Sequence, residues 1–164
     1  MGRACLSLGS NQNPLRHLRE ALDELRARFG TLVVSPFYRT KAIGYAGADF
    51  VNAAVVIDSD LDPVALDAWL HALEDAHGRR RDQPRYSDRP LDIDIVFYDD
   101  LVLRGPGHLQ IPRPELQHAF VLQPLADIAP EFRDPVSGTS LGELWASHPD
   151  FPGLAPLATD DSGG

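Results

Sequence analysis

The sequence predicts an α+β fold, an antiparallel sheet with two helices packed on one face. Two helical stripes and four extended segments, in the order β-α-β-β-α-β, are the first two observations behind it. The third is size: 164 residues, 43% of them hydrophobic, supply one core and not several.

Ala4 to Leu8 reads as a strand running into the turn cluster Gly9-Ser10-Asn11. Asn13 then stands as a helix N-cap, with Pro14 at the first helical position. Leu15, Leu18, Leu22, Leu25 and Phe29 step by three and four residues, one face of a helix that Gly30 closes as a left-handed cap. Thr31 to Thr40 is extended, and Pro36, which has no N–H for a ladder, makes it an edge strand or a bulge. Residues 41–49 carry glycine and alanine without a period and read as a flexible loop. Phe50 to Asp58 is a strand, with Phe50, Asn52, Ala54 and Val56 on one face. Asp62 and Pro63 open a second helix, Leu66, Trp69, Leu70 and Leu73 form its buried stripe, and Gly78 ends it. An arginine-rich loop, Arg79 to Pro90, leads into the clearest strand of the chain, Leu91 to Tyr98, where Leu91, Ile93, Ile95 and Phe97 alternate with Asp92, Asp94, Val96 and Tyr98. Asp99-Asp100 turns the chain, a short helix is expected within 118–130, and Ser140-Leu141-Gly142-Glu143 fits a capping box opening a last helix. The whole is the split β-α-β, ferredoxin-like pattern with C-terminal additions. One domain is expected over residues 1–154, with 155–164 as a disordered tail.

Twenty-four acidic against fifteen basic residues give a net charge of −9, which argues against nucleic-acid or membrane-surface partners. No apolar run approaches the ~18 residues of a membrane span. Met1 to Ser10 lacks the long apolar stretch of a secretory signal. Cys5 is the single cysteine, so an intrachain disulfide and a several-thiolate zinc site are both excluded, and it reads as a small core residue. A reduced, cytoplasmic protein is the expectation. Lys41 is the only lysine; the other basic residues are arginine, and Arg79, Arg80, Arg81, Arg85 and Arg89 fall within one short segment. Planar guanidiniums suit phosphate oxygens, although a solvated basic loop is the competing reading.

Asp92-Ile93-Asp94 is the sharpest constellation. Residues two apart on a strand share a face about 7 Å from each other. Two such carboxylates repel unless a cation lies beside them, and hard oxygen ligands with open positions suit Mg²⁺ and substrate phosphates. After the arginine segment, the pair points to a metal-phosphate site. Neither GxxxxGK[ST] nor GxGxxG occurs, so the phosphate grip must come from side chains and metal. Phe50 and Asn52 share a face, so a ring and an amide can meet one flat heterocycle; core packing for Phe50 and a backbone hydrogen bond for Asn52 are the alternatives. Glu74 and His77 lie three apart on a helix, where end hydrogen bonding is favoured over metal ligation. His17, His71, His108 and His148 show no partner in the sequence.

Gly9-Ser10-Asn11, Ser35-x-x-Tyr38-Arg39-Thr40, Phe50-x-Asn52-Ala53-Ala54-Val55, Glu74-x-x-x-Gly78-Arg79-x-Arg81 and Arg89-x-x-Asp92-Ile93-Asp94 follow in this order. Together they resemble the 6-hydroxymethyl-7,8-dihydropterin pyrophosphokinase family, from about Ala4 to about residue 150. The resemblance implies the same ferredoxin-like fold and an ATP-dependent transfer of pyrophosphate to the hydroxymethyl group of a reduced pterin, releasing AMP, in folate biosynthesis. It implies two Mg²⁺ ions on Asp92 and Asp94, with Arg79 and Arg89 completing the catalytic set. Glu74, Arg79, Arg81, Arg85, Ile95, Arg113 and His118 would meet ATP; Thr40, Ile43, Phe50, Asn52, Tyr86 and Phe120 would surround the pterin. A monomer is expected, with pterin and ATP as its small-molecule partners. The chain departs from the family pattern at Tyr86-Ser87-Asp88, where Trp-Gly-Pro is usual, at Arg113 for a histidine, at His118 for an arginine and at Lys41 for a proline. A pterin- or nucleotide-binding paralogue with weak or no transfer is the alternative reading.

Overall fold

The structure, a computed structural model, describes residues 1–40, 48–78 and 90–157. The first part of the chain runs β1 (Gly2–Ser10), α1 (Pro14–Phe29), β2 (Val33–Val34), β3 (Tyr38–Thr40), β4 (Phe50–Ser59), α2 (Pro63–Ala76) and β5 (Asp92–Tyr98). All strand pairings in this sheet are antiparallel, in the order β2-β4-β1-β5, with β3 also on β4. β2 and β3 are one edge strand interrupted around Pro36. Ser35 bridges the break: its N–H donates to Ala54 O at 2.9 Å, and its Oγ accepts from Ala54 N–H at 2.8 Å. The spatial order is therefore that of the ferredoxin-like fold expected from the sequence.

Each helix forms where the apolar spacing places it. Leu18, Ala21, Leu22 and Leu25 of α1 and Leu66, Leu70 and Leu73 of α2 pack on Leu6, Leu8, Val51, Ala53, Val55, Ile57, Ile93 and Ile95 of the sheet. Each Leu, Ile or Val among them taken fully from water contributes about 1.5–3 kcal/mol. Asp62 caps α2 through Ala65 N–H at 2.8 Å. Asn13 departs from its expected role: it takes a left-handed conformation, φ 46°, and its side chain caps nothing. Pro14, whose missing N–H needs no acceptor, opens α1 instead. Gly30 ends α1 at φ 87° and ψ −137°, outside the left-handed helical well expected but open to glycine.

The C-terminal additions build a third layer that the sequence pattern did not place. A hairpin of β6 (Leu103–Arg104) and β7 (Gln110–Ile111) leads through a 3₁₀ turn at Pro114–Gln117 to α3 (Ala119–Ile128) and α4 (Leu141–Ala146). Val121, Leu122, Leu125 and Ala126 of α3, with Leu141 and Trp145 of α4, pack on Cys5, Ala54, Val96 and Phe97 on the face away from α1 and α2. Ser140 caps α4 as read, its Oγ accepting from Glu143 N–H at 3.2 Å. Cys5 is fully buried, and burial pushes its thiol up to about 12, as suits an inert core residue.

Strand alternation fails in one place. A bulge pairs Cys5 with Phe97 but Leu6 with Ile95, leaving Val96 as the extra residue. Phe97 therefore joins the α3–α4 side, not the side of Ile93 and Ile95. Tyr98 turns toward the α1–α2 core, where its O–H donates to Leu61 O at 2.5 Å.

The chain is held past the expected boundary at residue 154: Leu157 N–H donates to Phe37 O at 2.8 Å, and Gln123 bonds both backbone groups of Leu154. Among the described residues no helix is long and apolar enough to cross a membrane.

Candidate active site

Register builds the site. Gly9, on the central strand β1, pairs with Asn52 on one side and Asp92 on the other. Two residues back, Ser7 pairs with Ala54 and Asp94; on the far side of β4, Tyr38 pairs with Asn52 and Thr40 with Phe50. Directly paired residues share a face, so Phe50, Asn52, Asp92 and Asp94 all lie opposite α1 and α2. Strands are ~4.8 Å apart, which sets Asn52 and Asp92 about 10 Å from each other across the backbone of β1. Gly9 is glycine for a steric reason: a Cβ there would stand 2.9 Å from Asn52 Nδ2 and 3.7 Å from Phe50 Cδ1. Asn52 is buried, and Thr40 Oγ1 donates to its Oδ1 at 2.5 Å, which fixes the orientation of the amide.

The carboxylate pair is an electrostatically loaded spot. Burial first, and then the neighbouring charge of Asp92, hold the Asp94 carboxyl well above the usual carboxylate range. Glu74 and Glu115 push the same way, and Arg113 opposes them. Arg113 Nη1 stands 3.6 Å from Asp94 Oδ1, and its Nη2 donates to Glu115 Oε2 at 3.4 Å. Among the described residues its buried Nε has no hydrogen-bond partner. Among the described residues, burial and the acidic neighbours outweigh Arg113 in their effect on Asp94. Two hard carboxylates on one strand face with excess negative potential fit Mg²⁺.

Glu74 is 1% exposed, and its Oε2 accepts from Ile93 N–H at 2.8 Å, between the two aspartates. It ties the end of α2 to β5 and so sets the height of Asp92 and Asp94. Replacing Glu74 by alanine leaves the Ile93 N–H without this acceptor and is expected to cost ~2–3 kcal/mol, read as a lower midpoint of denaturant unfolding. Ile95, expected near ATP, has its side chain on the opposite face, in the α1–α2 core at 2% exposure. His118 precedes α3 and stacks on Phe120, ring centroids 5.0 Å apart and planes 11° from parallel. Phe120 packs against the α3–α4 side of the core, the side of the sheet on which Phe50 and Asn52 also lie. Arg79, Arg81, Arg85, Tyr86 and Arg89, and Ile43 from the earlier loop, lie outside the described residues.

The histidines without partners in the sequence have them in space. His17 meets His77 across the two helices, His71 Nε2 lies 3.5 Å from Asp67 Oδ1 with its ring stacked on His108, and His148 Nε2 lies 2.7 Å from Gln117 O. Only the Asp67–His71 spacing, one helical turn, was available as a signal in the sequence.

The ferredoxin-like sheet thus carries a carboxylate pair with Arg113 beside it at β5, and an amide with an aromatic ring two strands away on β4, an arrangement of groups that suits a transferase. The family model for 7,8-dihydro-6-hydroxymethylpterin-pyrophosphokinase (HPPK) matches residues 5–130. A 2-amino-4-hydroxy-6-hydroxymethyldihydropteridine pyrophosphokinase of Synechocystis sp. is 39% identical over 145 residues, covering 86% of this chain and 73% of that protein. The protein of the same name from Pseudomonas aeruginosa is 39% identical over 160 residues, covering 94% and 96%. The crystal structure of Plasmodium falciparum HPPK-DHPS shares the fold, with a TM-score of 0.69 at 16% identity over 88% of this chain; the match spans 44% of that longer chain. This chain belongs to the HPPK family and is a pyrophosphokinase, a diphosphotransferase.

Proposed function

We propose that the chain transfers the terminal pyrophosphoryl group of ATP to the hydroxymethyl group of 6-hydroxymethyl-7,8-dihydropterin, releasing AMP, as a step of folate biosynthesis. The observation that supports this reading is the register row Asn52–Gly9–Asp92, which sets an amide and a carboxylate on one face of the sheet, on either side of β1. Asn52, oriented by Thr40, pairs with the polar edge of the pterin, while Phe50 and Phe120, with Ile43 and Tyr86, give it apolar walls. The substrate oxygen bonds to the β-phosphorus as the bond from that phosphorus to the α–β bridging oxygen breaks; AMP leaves with that oxygen, and the hydroxyl proton is released to solvent. A loose transition state of this kind asks mainly for alignment and charge stabilisation.

Asp92 and Asp94 would hold two Mg²⁺ ions, which when bound supply positive charge to the phosphate oxygens. Arg79, Arg81, Arg85 and Arg89 would bind those oxygens, Arg79 and Arg89 as members of the catalytic set. Arg113, already beside Asp94, and His118 extend the nucleotide side, Glu74 acts by positioning β5, and Ile95 contributes through the strand that carries the aspartates. The reading takes a monomer as the working unit. The reading places it in the cytoplasm, as one domain over 1–154 whose docking continues to Leu157.

Incubation with ATP, Mg²⁺ and the reduced pterin is expected to release AMP and diphosphorylated pterin in equal amounts. Formation of ADP, or binding of both ligands without AMP, would reject the reading.

A further inference from the structure

On the helix layer, away from the carboxylate face, the first turns of α1 meet the end of α2 at a pair of buried imidazoles. His17 is 7% exposed and the His77 side chain 8%. Their Nδ1 atoms face each other at 2.8 Å. His77 Nε2 lies 3.1 Å from Glu24 Oε2, and a carboxylate at that distance requires the ring N–H there. In the neutral ring, the His77 Nδ1 lone pair is then aimed at His17. Glu20, one turn along α1 from His17, brings a carboxylate oxygen, and the three ligand atoms lie within 4.8 Å of one another.

We propose that His17, His77 and Glu20 form a transition-metal site of the Zn²⁺ class, separate from the Asp92–Asp94 pair. Tetrahedral coordination at about 2.0–2.1 Å sets neighbouring ligand atoms roughly 3.3 Å apart, a spacing bracketed by the distances found here. Two imidazole nitrogens and one carboxylate suit a borderline ion such as Zn²⁺ and leave a fourth position open. Glu24 supplies the carboxylate behind a ligating histidine that holds its tautomer and raises its basicity. Arg16 is the opposing charge: its Nη2 is 3.4 Å from His17 Nε2, and its Nε is 3.8 Å from Glu20. That side chain is 64% exposed, so it turns to solvent when the His17 proton moves from Nδ1 to Nε2 and frees Nδ1 for the metal. Glu20 and Glu24 together outweigh its charge.

The test uses Co²⁺ as the probe, added to the full chain after chelator treatment and followed by visible d–d absorption. One equivalent is expected to give bands of tetrahedral intensity, displaced by Zn²⁺ and unaffected by Mg²⁺. His77→Gln is expected to weaken Co²⁺ binding by at least ~100-fold, and Glu24→Gln by about 10-fold. Asp94→Asn is expected to leave it unchanged. Circular dichroism checks each fold. If His77→Gln does not fold, Glu20→Gln, at an exposed carboxylate, decides by its loss of the bands. Absence of bands in the wild type, their survival in the variants at His77 or Glu20, or their loss in Asp94→Asn would overturn the proposal.

Discussion

Asp94→Asn is expected to lower kcat about 1,000-fold, roughly 4 kcal/mol of transition-state stabilisation, while making the metal-free protein more resistant to heat. Both effects have one origin. Asp94 sits in a half-buried place beside Asp92, and burial and that neighbouring charge push its carboxyl well above the ordinary carboxylate range. Between the ordinary carboxylate pKa and this raised one, the unfolded chain has released its proton and the native state still holds it. The contribution of this group to stability therefore falls as pH rises through that window and is fully lost above it. Asparagine keeps the shape, has no proton to lose and flattens that part of the curve. It also removes a hard, anionic oxygen donor. Thermal unfolding in chelator from pH about 4 to about 8 checks the first effect, and steady-state turnover at saturating Mg²⁺ and ATP checks the second. Added Mg²⁺ and ATP are expected to raise the midpoint of the wild type and not of the variant. Turnover at the wild-type rate would remove Asp94 from the metal site.

Asn52→Ala is expected to lower kcat/KM for the pterin about 1,000-fold with ATP affinity held within about twofold. A buried amide fixed by Thr40 discriminates because a substrate edge that loses its partner stays desolvated and unpaired. Alanine also takes the acceptor from the Thr40 hydroxyl. The strand itself survives, since Ala53 and Ala54 already occupy β4 beside it. Calorimetric titration with each ligand separates the two affinities. A comparable loss of ATP binding would show that Asn52 supports the sheet and not the heterocycle.

Much of this was legible before any coordinates. The i, i+3, i+4 spacing of Leu18, Leu22 and Leu25, the period-two run from Phe50 and the capping signal of Asp62 are local relations, and the structure keeps each one. Pro36 marked the break in the edge strand for the same reason. The shared face of Phe50 with Asn52, and of Asp92 with Asp94, follows from the pleat alone. The inert role of Cys5 was read correctly, because a small thiol amid a strand's apolar residues has little else to do.

The misreadings have nonlocal causes. Phe97 changes face because the β1–β5 pairing shifts by one residue at a bulge, and no property of residues 92–98 taken alone reports that. Asn13 yields its capping role because Pro14 and a left-handed turn already shape the entry to α1. Leu157 stays docked because a backbone acceptor waits at Phe37, far away in sequence.

By itself the sequence determined the order of strands and helices, which residues share a face, the carboxylate pair and the family to which such a set belongs. Tertiary structure alone decided that Gly9 brings Asn52 and Asp92 to either side of one strand, that Arg113 meets Asp94, that α3 and α4 close the second face of the sheet, and that His17 meets His77. Periodicity is written in neighbours a few positions apart. Register and long-range pairing emerge only when the whole chain minimises its exposed apolar surface and satisfies its buried polar groups at once.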